Sequence, residues 1–247
     1  MTTLAVMQPT YMPWLGYFDL MDQADHFVFL DDVQLARQSW QTRNRVRGSS
    51  GGELMLSIPV RHTGALDVTL ADTPIDDGKP WRRKHARTIQ QAYARARHGQ
   101  TAARFWGEQL ESAETTLSEF NAMAIENTAK ALGISTASSR SSAHDLPEDR
   151  IDRLIALCRI TGCDTYLSTP GAADYMAEDR AFDRFARQGL AVEFQAYTHP
   201  VYDQGRADFL SHLGIVDVMA HAGIAAVLPL LRSGRQPSHR PDTRKAS

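Results

Sequence analysis

Residues 4–34, LAVMQPTYMPWLGYFDLMDQADHFVFLDDVQ, contain two apolar runs of strand length separated by a loop and a helical pattern. The runs are residues 4–7 and 26–30, and residues 15–24 between them place Leu, Phe and Met at the spacing of one helical face. Continuous apolar runs are typical of central strands in a parallel sheet, because helices cover such strands on both faces. This segment therefore predicts a strand–loop–helix–strand unit built on a parallel sheet.

The middle of the chain changes from turn and strand signals to helical signals. The pattern predicts a turn at 48–52, strands at 54–60 and 66–75, helices at 81–96 and 101–131, and a polar connector at 138–142. Gly133 stands just past the second helical pattern, where a glycine commonly ends a helix.

The rest of the chain returns to alternating helices and strands and ends in a basic segment. The predicted elements are helices at 148–161, 172–188 and 208–231, and strands at 164–169 and 190–197. Residues 232–247 are predicted to form a disordered basic tail behind a single domain, residues 1–231. The whole pattern predicts an α/β fold with a mostly parallel, Rossmann-like sheet, helices on both faces, and the helical segment 80–132 inserted or packed alongside.

The composition is that of an ordinary globular chain of 247 residues, 43% hydrophobic and 23% charged. The formal charge of −2 does not favour a general nucleic-acid binder, which carries a basic excess. Cys158 and Cys163 favour a reduced context over a disulfide framework. The N-terminus lacks the features of a signal peptide, and no apolar run approaches the roughly 18 residues of a membrane span. We therefore expect a cytoplasmic protein without membrane insertion.

The loop QPTYMPWLGY at 8–17 is unusually rich in proline and aromatic residues for a strand-to-helix turn. In open α/β sheets ligands bind outside the carboxyl ends of the strands, so Gln8, Tyr11 and Trp14 are predicted to bind substrate. Aromatic side chains with polar tips suit such contacts, and the two prolines stiffen the loop. The alternative is a structural corner in which Trp14 and Tyr17 fill the core.

DDVQ at 31–34 follows the second predicted strand. We predict that Asp32 is a catalytic carboxylate and that Asp31 and Gln34 bind substrate. Neighbouring residues on an extended chain point to opposite sides, so both carboxylates do not reach one ligand from a regular strand. The alternative is an aspartate that caps the next turn.

WQTRN at 40–44 provides three more predicted substrate-binding residues, Trp40, Arg43 and Asn44. A guanidinium pairs with carboxylate or phosphate, and an indole beside it suits a planar or sugar face. A solvated loop arginine is the alternative interpretation.

The loop YTHPVYDQ at 197–204 also follows a predicted strand. Its His199 is the predicted general base, with Tyr202 and Gln204 as substrate-binding residues, and the alternative is a structural hydrogen bond within the loop. Ser168 follows another strand and is predicted to hold an anionic part of the substrate.

Several well-known motifs do not occur, among them the P-loop, G-x-G-x-x-G, G-x-S-x-G, H-E-x-x-H and paired C-x-x-C. The sequence therefore identifies no cofactor and assigns no metal ligand, and it does not decide whether a metal is needed. If the predicted strands are parallel, their loops emerge at one edge of the sheet. We predict that Tyr11, Asp32, Arg43 and His199 line one pocket there.

Five motifs together resemble the WbqC-like family, bacterial proteins often encoded in polysaccharide-biosynthesis loci. They are QPTYMPWLGYF at 8–18, ADHFVFLDDVQ at 24–34, SWQTRNRV at 39–46, DTYLSTPGAADYM at 164–176 and FQAYTHPVYDQ at 194–204. The resemblance implies a bacterial cytoplasmic α/β protein acting in surface-glycan or related biosynthesis. The first strand–helix–strand unit also resembles the nucleotidyltransferase-like superfamily. Residues 14–17 stand where that group has a His-x-Gly-His motif, and they contain no histidine, so this likeness supports only the fold.

Three classes of function fit these features. The favoured hypothesis is a transferase that acylates or aminoacylates an amino group of a sugar precursor, with a sugar or nucleotide-sugar as substrate and an acyl or aminoacyl donor. The second is a nucleotide-binding or adenylyl-transfer enzyme on a Rossmann-like scaffold. The third is a non-catalytic sugar-binding assembly protein. Fold does not decide among them, because unrelated functions share one scaffold.

Overall fold

A central six-stranded sheet organises the protein. The computed structural model describes residues 1–36, 39–61 and 68–240. The strands of the sheet are β1 (Thr3–Met7), β2 (His26–Phe29), β5 (Ala137–Arg140), β6 (Thr165–Ser168), β7 (Ala191–Tyr197) and β8 (Arg235–His239), in the order β5-β2-β1-β6-β7-β8. The first five are mutually parallel and β8 is antiparallel to β7, so the prediction of a mostly parallel sheet is confirmed.

The helices lie along the chain between and after these strands. They are α1 (Leu15–Gln23), α2 (Trp81–Ala92), α3 (Gly99–Leu110), α4 (Leu117–Leu132), α5 (Arg150–Thr161), α6 (Ala173–Glu178), α7 (Ala181–Arg187), α8 (Val216–Ala222) and α9 (Ile224–Ser233). Short 3-10 turns at Ser141–Ala143 and Pro170–Ala172 follow β5 and β6. Gly133 and Gly162 end α4 and α5 in the left-handed conformation, as a glycine does at a helix C-terminus.

Alternate side chains of the central strands enter two separate apolar cores. On β1, Leu4 and Val6 pack in the core built with α5, α6 and α7, whereas Ala5 packs with α1, α4, α8 and α9. On β2, Phe27 and Phe29 enter the second of these cores and Val28 enters the first. Strands buried on both faces need apolar residues at every position, which explains the continuous apolar runs in the sequence.

The two long predicted helices are each interrupted. Residues 81–96 form α2 only to Ala92, because the chain turns at 93–98 and α3 begins at Gly99. A β-carbon at position 99 would lie 1.7 Å from the Tyr93 carbonyl oxygen, so this tight turn requires glycine. The predicted helix 101–131 is likewise α3 and α4, and Thr116 begins α4 by accepting a hydrogen bond from the Glu119 backbone N–H at 3.3 Å.

Three strands that the sequence did not predict have polar sequences. The predicted connector 138–142 is largely β5, which pairs with β2, and the segment after Trp40 contains β3 (Arg43–Arg47). The predicted disorder of 232–247 is wrong for its first part, because α9 extends to Ser233 and 235–239 form β8. Pairing with an existing strand satisfies the backbone of such a segment, so it needs no apolar side chains of its own. Residues 241–247 lie outside the described part of the chain.

A separate hairpin lies beside the sheet. β3 pairs antiparallel with β4 (Glu53–Ser57) across the predicted turn 48–52. The predicted strand 54–60 is therefore β4 shifted by one residue and shortened. The first two positions of the predicted strand 66–75 lie outside the described residues, and its remainder forms isolated bridges such as Val60 with Ile75. The predicted helix 172–188 is divided into α6 and α7.

Among the described residues, no single helix combines the length and apolar character needed to cross a bilayer. The pair α8 and α9 reaches that length and composition together, with a bend of 110° between them. Cys158 and Cys163 are both free and buried.

Candidate functional site

The strand order reverses beside β1, and a cleft opens at that point. The chain leaves β1 towards β2 on one side and leaves β6 towards β7 on the other, although β1 and β6 are neighbours. Ligands of open α/β sheets bind outside the carboxyl ends of the strands at such a switch point. A cleft of about 670 Å³ lies there. We call it the switch-point cleft.

Residues from six parts of the fold line the switch-point cleft. They come from the ends of β1, β2 and β6, from the segment around Trp40, and from the first turns of α5 and α6: Val6, Met7, Gln8, Thr10, Leu30, Asp32, Val33, Gln34, Trp40, Gln41, Glu148, Arg150, Arg153, Leu154, Tyr166, Ser168, Thr169, Gly171, Ala172 and Tyr175. Five predicted site residues are among them, namely Gln8, Asp32, Gln34, Trp40 and Ser168. Their assignment to substrate binding or catalysis stays a prediction.

Asp32 is one of the two acidic residues that line the cleft, the other being Glu148. One of its oxygens accepts the Ser141 hydroxyl proton at 2.5 Å, and the other lies 2.9 Å from a guanidinium nitrogen of Arg153. The Asp32 and Arg153 side chains are each about one fifth exposed, at 20% and 18%. The Arg153 guanidinium also donates to the Pro147 carbonyl at 3.1 Å. Asp32 is therefore held in one orientation and still reaches the solvent of the cleft.

Asp31 does not reach the cleft, although it was predicted to bind substrate. Its side chain is fully buried, accepting from the Ser118 hydroxyl at 2.8 Å and from the Ser142 backbone N–H at 3.0 Å. Adjacent residues point to opposite sides of an extended chain, so one carboxylate faces the cleft and the other faces the interior. Asp31 thereby joins the ends of β2 and β5 to α4.

Two positive side chains and an aromatic ring on one wall come from helices. Arg150, at the start of α5, pairs with Asp179 and lies over the Tyr175 ring, with its guanidinium carbon 4.5 Å from the ring centroid. Sequence reasoning missed Arg150, Arg153 and Tyr175. They belong to helices whose pattern is that of ordinary amphipathic helices. The one available signal was that α6 begins soon after the predicted strand 164–169.

The opposite wall carries amide groups and an indole. The Gln41 side chain donates a hydrogen bond to the Gln8 side-chain carbonyl. Gln41 is 6% exposed, and its own Oε1 accepts no hydrogen bond from the described residues. Trp40 beside it is 49% exposed, with the Arg45 guanidinium 5.6 Å from its ring centroid. The Gln8 and Gln41 amides are therefore held together by their own hydrogen bond in this part of the lining.

Tyr11 and Asn44 have structural positions and do not line the cleft as predicted. The Tyr11 hydroxyl lies 2.8 Å from Nδ1 of the buried His85 on α2. The Asn44 side chain donates to the backbone carbonyls of Tyr11 and Met12 at 2.9 and 2.8 Å. These hydrogen bonds connect the loop 8–17 to β3 and α2 and hold it in place.

His199 stands at the predicted edge of the sheet but outside the switch-point cleft. Its ring stacks on Trp14 with centroids 5.9 Å apart, and its Nδ1 lies 2.9 Å from the Pro200 carbonyl oxygen. Burial and the neighbouring His212 lower the pKa of His199 to about 4. Trp14 covers Gly16, where a β-carbon would lie 2.1 Å from the indole. The contacts of Trp14 and His199 are therefore those of the structural alternatives, namely a packed corner for Trp14 and a hydrogen bond within the loop for His199.

Of the four side chains predicted to share one pocket, Asp32 alone lines this cleft, so that prediction is wrong. Arg43 is half-buried in β3, opposite Ser57 on β4. Tyr202 and Gln204 bind Asp217 on α8, at 2.7 and 2.9 Å. Parallel strands did bring the loops to one edge, but the direction of each side chain was decided by local packing. Among the described residues, no group of three His, Cys, Asp or Glu side chains is arranged to hold a metal ion.

The fold and the cleft define a Rossmann-like α/β protein with a ligand-sized site at its switch point. The chain belongs to the WbqC-like protein family, whose model matches residues 8–228. It is also 30% identical to "Uncharacterized protein Rv1507c" of Mycobacterium tuberculosis (strain ATCC 25618 / H37Rv), over 92% of this chain and 96% of that protein. No solved structure matches the chain. The resemblance seen in the five motifs is confirmed at the level of the family.

Proposed function

We propose that the protein is a transferase of bacterial surface-polysaccharide or related biosynthesis that acylates or aminoacylates an amino group of a nucleotide-linked sugar. The observation that carries the proposal is the switch-point cleft itself, in which aromatic, guanidinium, amide and carboxylate groups face one volume of about 670 Å³. That combination suits a ligand with a flat base, phosphates and a polar sugar ring.

The contacts suggest a division of the ligand among the walls. The half-exposed indole of Trp40 offers a stacking face for the base. Arg150 is 54% exposed on the opposite wall and is available to a phosphate. The partly exposed Gln8 amide lines the same cleft and is available to a sugar hydroxyl or amine.

Asp32 is the proposed base in place of His199, which lies outside the cleft. In the proposed step the sugar amine attacks the carbonyl carbon of the donor and forms a nitrogen–carbon bond. The bond between that carbon and the leaving group breaks, with its electron pair going to the leaving group, and the amine proton passes to the Asp32 carboxylate. Arg153 and Ser141 hold the carboxylate towards the cleft.

Binding is tested by calorimetric titration with UDP-glucosamine, UDP and glucosamine. We expect UDP-glucosamine to bind, and Trp40→Ala and Arg150→Ala each to weaken it about tenfold, the loss of one stacking or charge-assisted contact. Arg159→Ala is the matched control, because Arg159 is exposed on the same helix α5 but does not line the cleft. Equal affinity in the wild type and both cleft variants would overturn the assignment of the cleft.

Turnover is tested by mass spectrometry after incubation of UDP-glucosamine with thioester and aminoacyl donors. We expect a product heavier by the acyl group, and Asp32→Asn to reduce its rate by about 10²–10⁴ while retaining sugar-nucleotide binding. Pyrophosphate release from ATP instead would favour adenylyl transfer. Binding without any product from the donor panel would favour a sugar-binding protein.

A further inference from the structure

A second cleft lies apart from the switch-point cleft and shares no lining residue with it. It has a volume of about 800 Å³ and lies between the β3–β4 turn, the turn from α2 to α3, and the loop that follows β7. Its residues include Gln204, from a sequence motif that the switch-point cleft does not use.

The lining of the second cleft carries four arginines and one acidic residue, Asp203. Residues 81–104, which form α2, the turn and the start of α3, contain seven Arg and Lys and no Asp or Glu, in a chain with a formal charge of −2. Arg95 and Arg97 from this segment line the cleft, are exposed, and form no ion pair with any described residue. Arg206 lines the facing wall and donates to the Ser49 carbonyl at 3.0 Å. Guanidinium groups that converge on one space select an anion, phosphate above all.

A buried carboxylate and a histidine lie together at the second cleft. Asp217 is fully buried, and its Oδ2 accepts from the Tyr202 hydroxyl at 2.7 Å and the Gln204 amide at 2.9 Å. Its Oδ1 lies 4.0 Å from Nε2 of His221, which lines the cleft, and the Tyr93 hydroxyl is also close to this carboxylate. A carboxylate at this distance favours the protonated form of His221, whereas burial keeps the pKa of His221 below its usual value.

The surroundings of the His221 ring shift its pKa in both directions. Burial lowers its pKa and Arg47 does so as well, whereas Asp217 and Asp203 oppose that effect. The Tyr93 ring packs edge-on against it, with centroids 5.9 Å apart. A nearby anion favours the charged imidazolium form of histidine. A ligand phosphate would add its negative charge to the effect of the Asp217 and Asp203 carboxylates, so that His221 takes up a proton when the ligand binds.

We propose that the second cleft binds a small molecule carrying a phosphate group, with Arg95 and Arg97 on one wall, Arg206 on the other, and His221 backed by Asp217. The observations that carry this site do not depend on the transferase assignment of the switch-point cleft.

The test uses inorganic pyrophosphate as the probe and NMR of protein labelled at the histidine ring carbons, at constant ionic strength. We expect pyrophosphate to shift the His221 signal, which is assigned by its absence in His221→Gln. The double variant Arg95→Ala/Arg97→Ala should weaken that titration about tenfold. The matched control Arg83→Ala/Arg104→Ala removes the same charge from a neighbouring groove and should leave the affinity within twofold.

Two results would overturn the proposal. One is a His221 signal that does not move with pyrophosphate, and the other is equal weakening in both double variants, which would indicate a diffuse basic surface. Arg150→Ala, in the switch-point cleft, should leave the His221 titration unchanged, which distinguishes this site from the proposed nucleotide-sugar site.

Discussion

Acidification should destabilise the protein through His85, the buried partner of Tyr11. The ring is 6% exposed, its Nδ1 lies 2.8 Å from the Tyr11 hydroxyl, and it also hydrogen-bonds the Ser57 backbone. A backbone carbonyl accepts only, so we assign the ring proton to that bond and Nδ1 as the acceptor from Tyr11. Burial lowers the pKa of His85 from 6.5 to about 4.

The sign and size of the effect follow from that shift. Between pH 6.5 and 4 the unfolded chain binds a proton at this histidine and the folded protein does not. The contribution of His85 to stability is therefore complete above pH 6.5 and is lost as the pH falls towards 4. At about 1.4 kcal/mol per pKa unit, about 2.5 kcal/mol is lost by pH 4.5.

The assay is urea unfolding of the wild type and His85→Gln at several pH values from 8 to 4.5, at constant ionic strength. Glutamine does not titrate, so the wild type should lose about 2.5 kcal/mol more than the variant over this range. The contributions of other histidines cancel in the difference. His239→Gln serves as the control, because His239 is an exposed residue of β8. A difference between wild type and His85→Gln that does not change with pH would refute the reasoning.

Four further substitutions test the fold by thermal and urea unfolding. Asp31→Ala should cost about 3 kcal/mol, because buried hydroxyl and N–H donors lose their charged acceptor, and a loss under 1 kcal/mol would contradict the structural role. Arg235→Gln should lower the free energy of unfolding by about 2 kcal/mol, because it leaves the fully buried Asp19 carboxylate without the ion pair that β8 supplies at 2.8 Å. An unchanged melting temperature would mean that this ion pair with β8 adds no stability. Gly99→Ala should severely destabilise the protein. Gly107→Ala should stabilise it by about 0.5–1 kcal/mol, because a β-carbon at this position of α3 meets nothing within 4 Å. A Gly99→Ala variant more stable than Gly107→Ala would refute the described turn.

The elements that the sequence predicted best are those whose signal is local. The apolar runs of β1 and β2 are such signals, because strands covered on both faces need apolar residues at every position. The glycines that end α4 and α5 are equally local, since the left-handed conformation favours glycine wherever it occurs. The position of the switch-point cleft followed as well, because parallel strands place their carboxyl ends at one edge.

The elements that were missed depend on partners distant in the chain. β5 and β8 have polar sequences and become strands because β2 and β7 offer them unpaired backbone groups. The helix predicted over 101–131 divides into α3 and α4, and the break is marked only by the weak capping signal of Thr116.

The sequence alone determined the class of fold, the family and the edge of the sheet where the switch-point cleft lies, because periodicity and motif order are properties of neighbouring residues. The tertiary structure decided which polar groups reach that edge. Asp31 and Asp32 are adjacent in the chain, yet the first is enclosed by serines and the second faces the cleft beside Arg153. The second cleft joins residues from 47 to 221, and only packing brings them together. Side-chain direction and burial depend on contacts across the whole chain, and no local pattern records them.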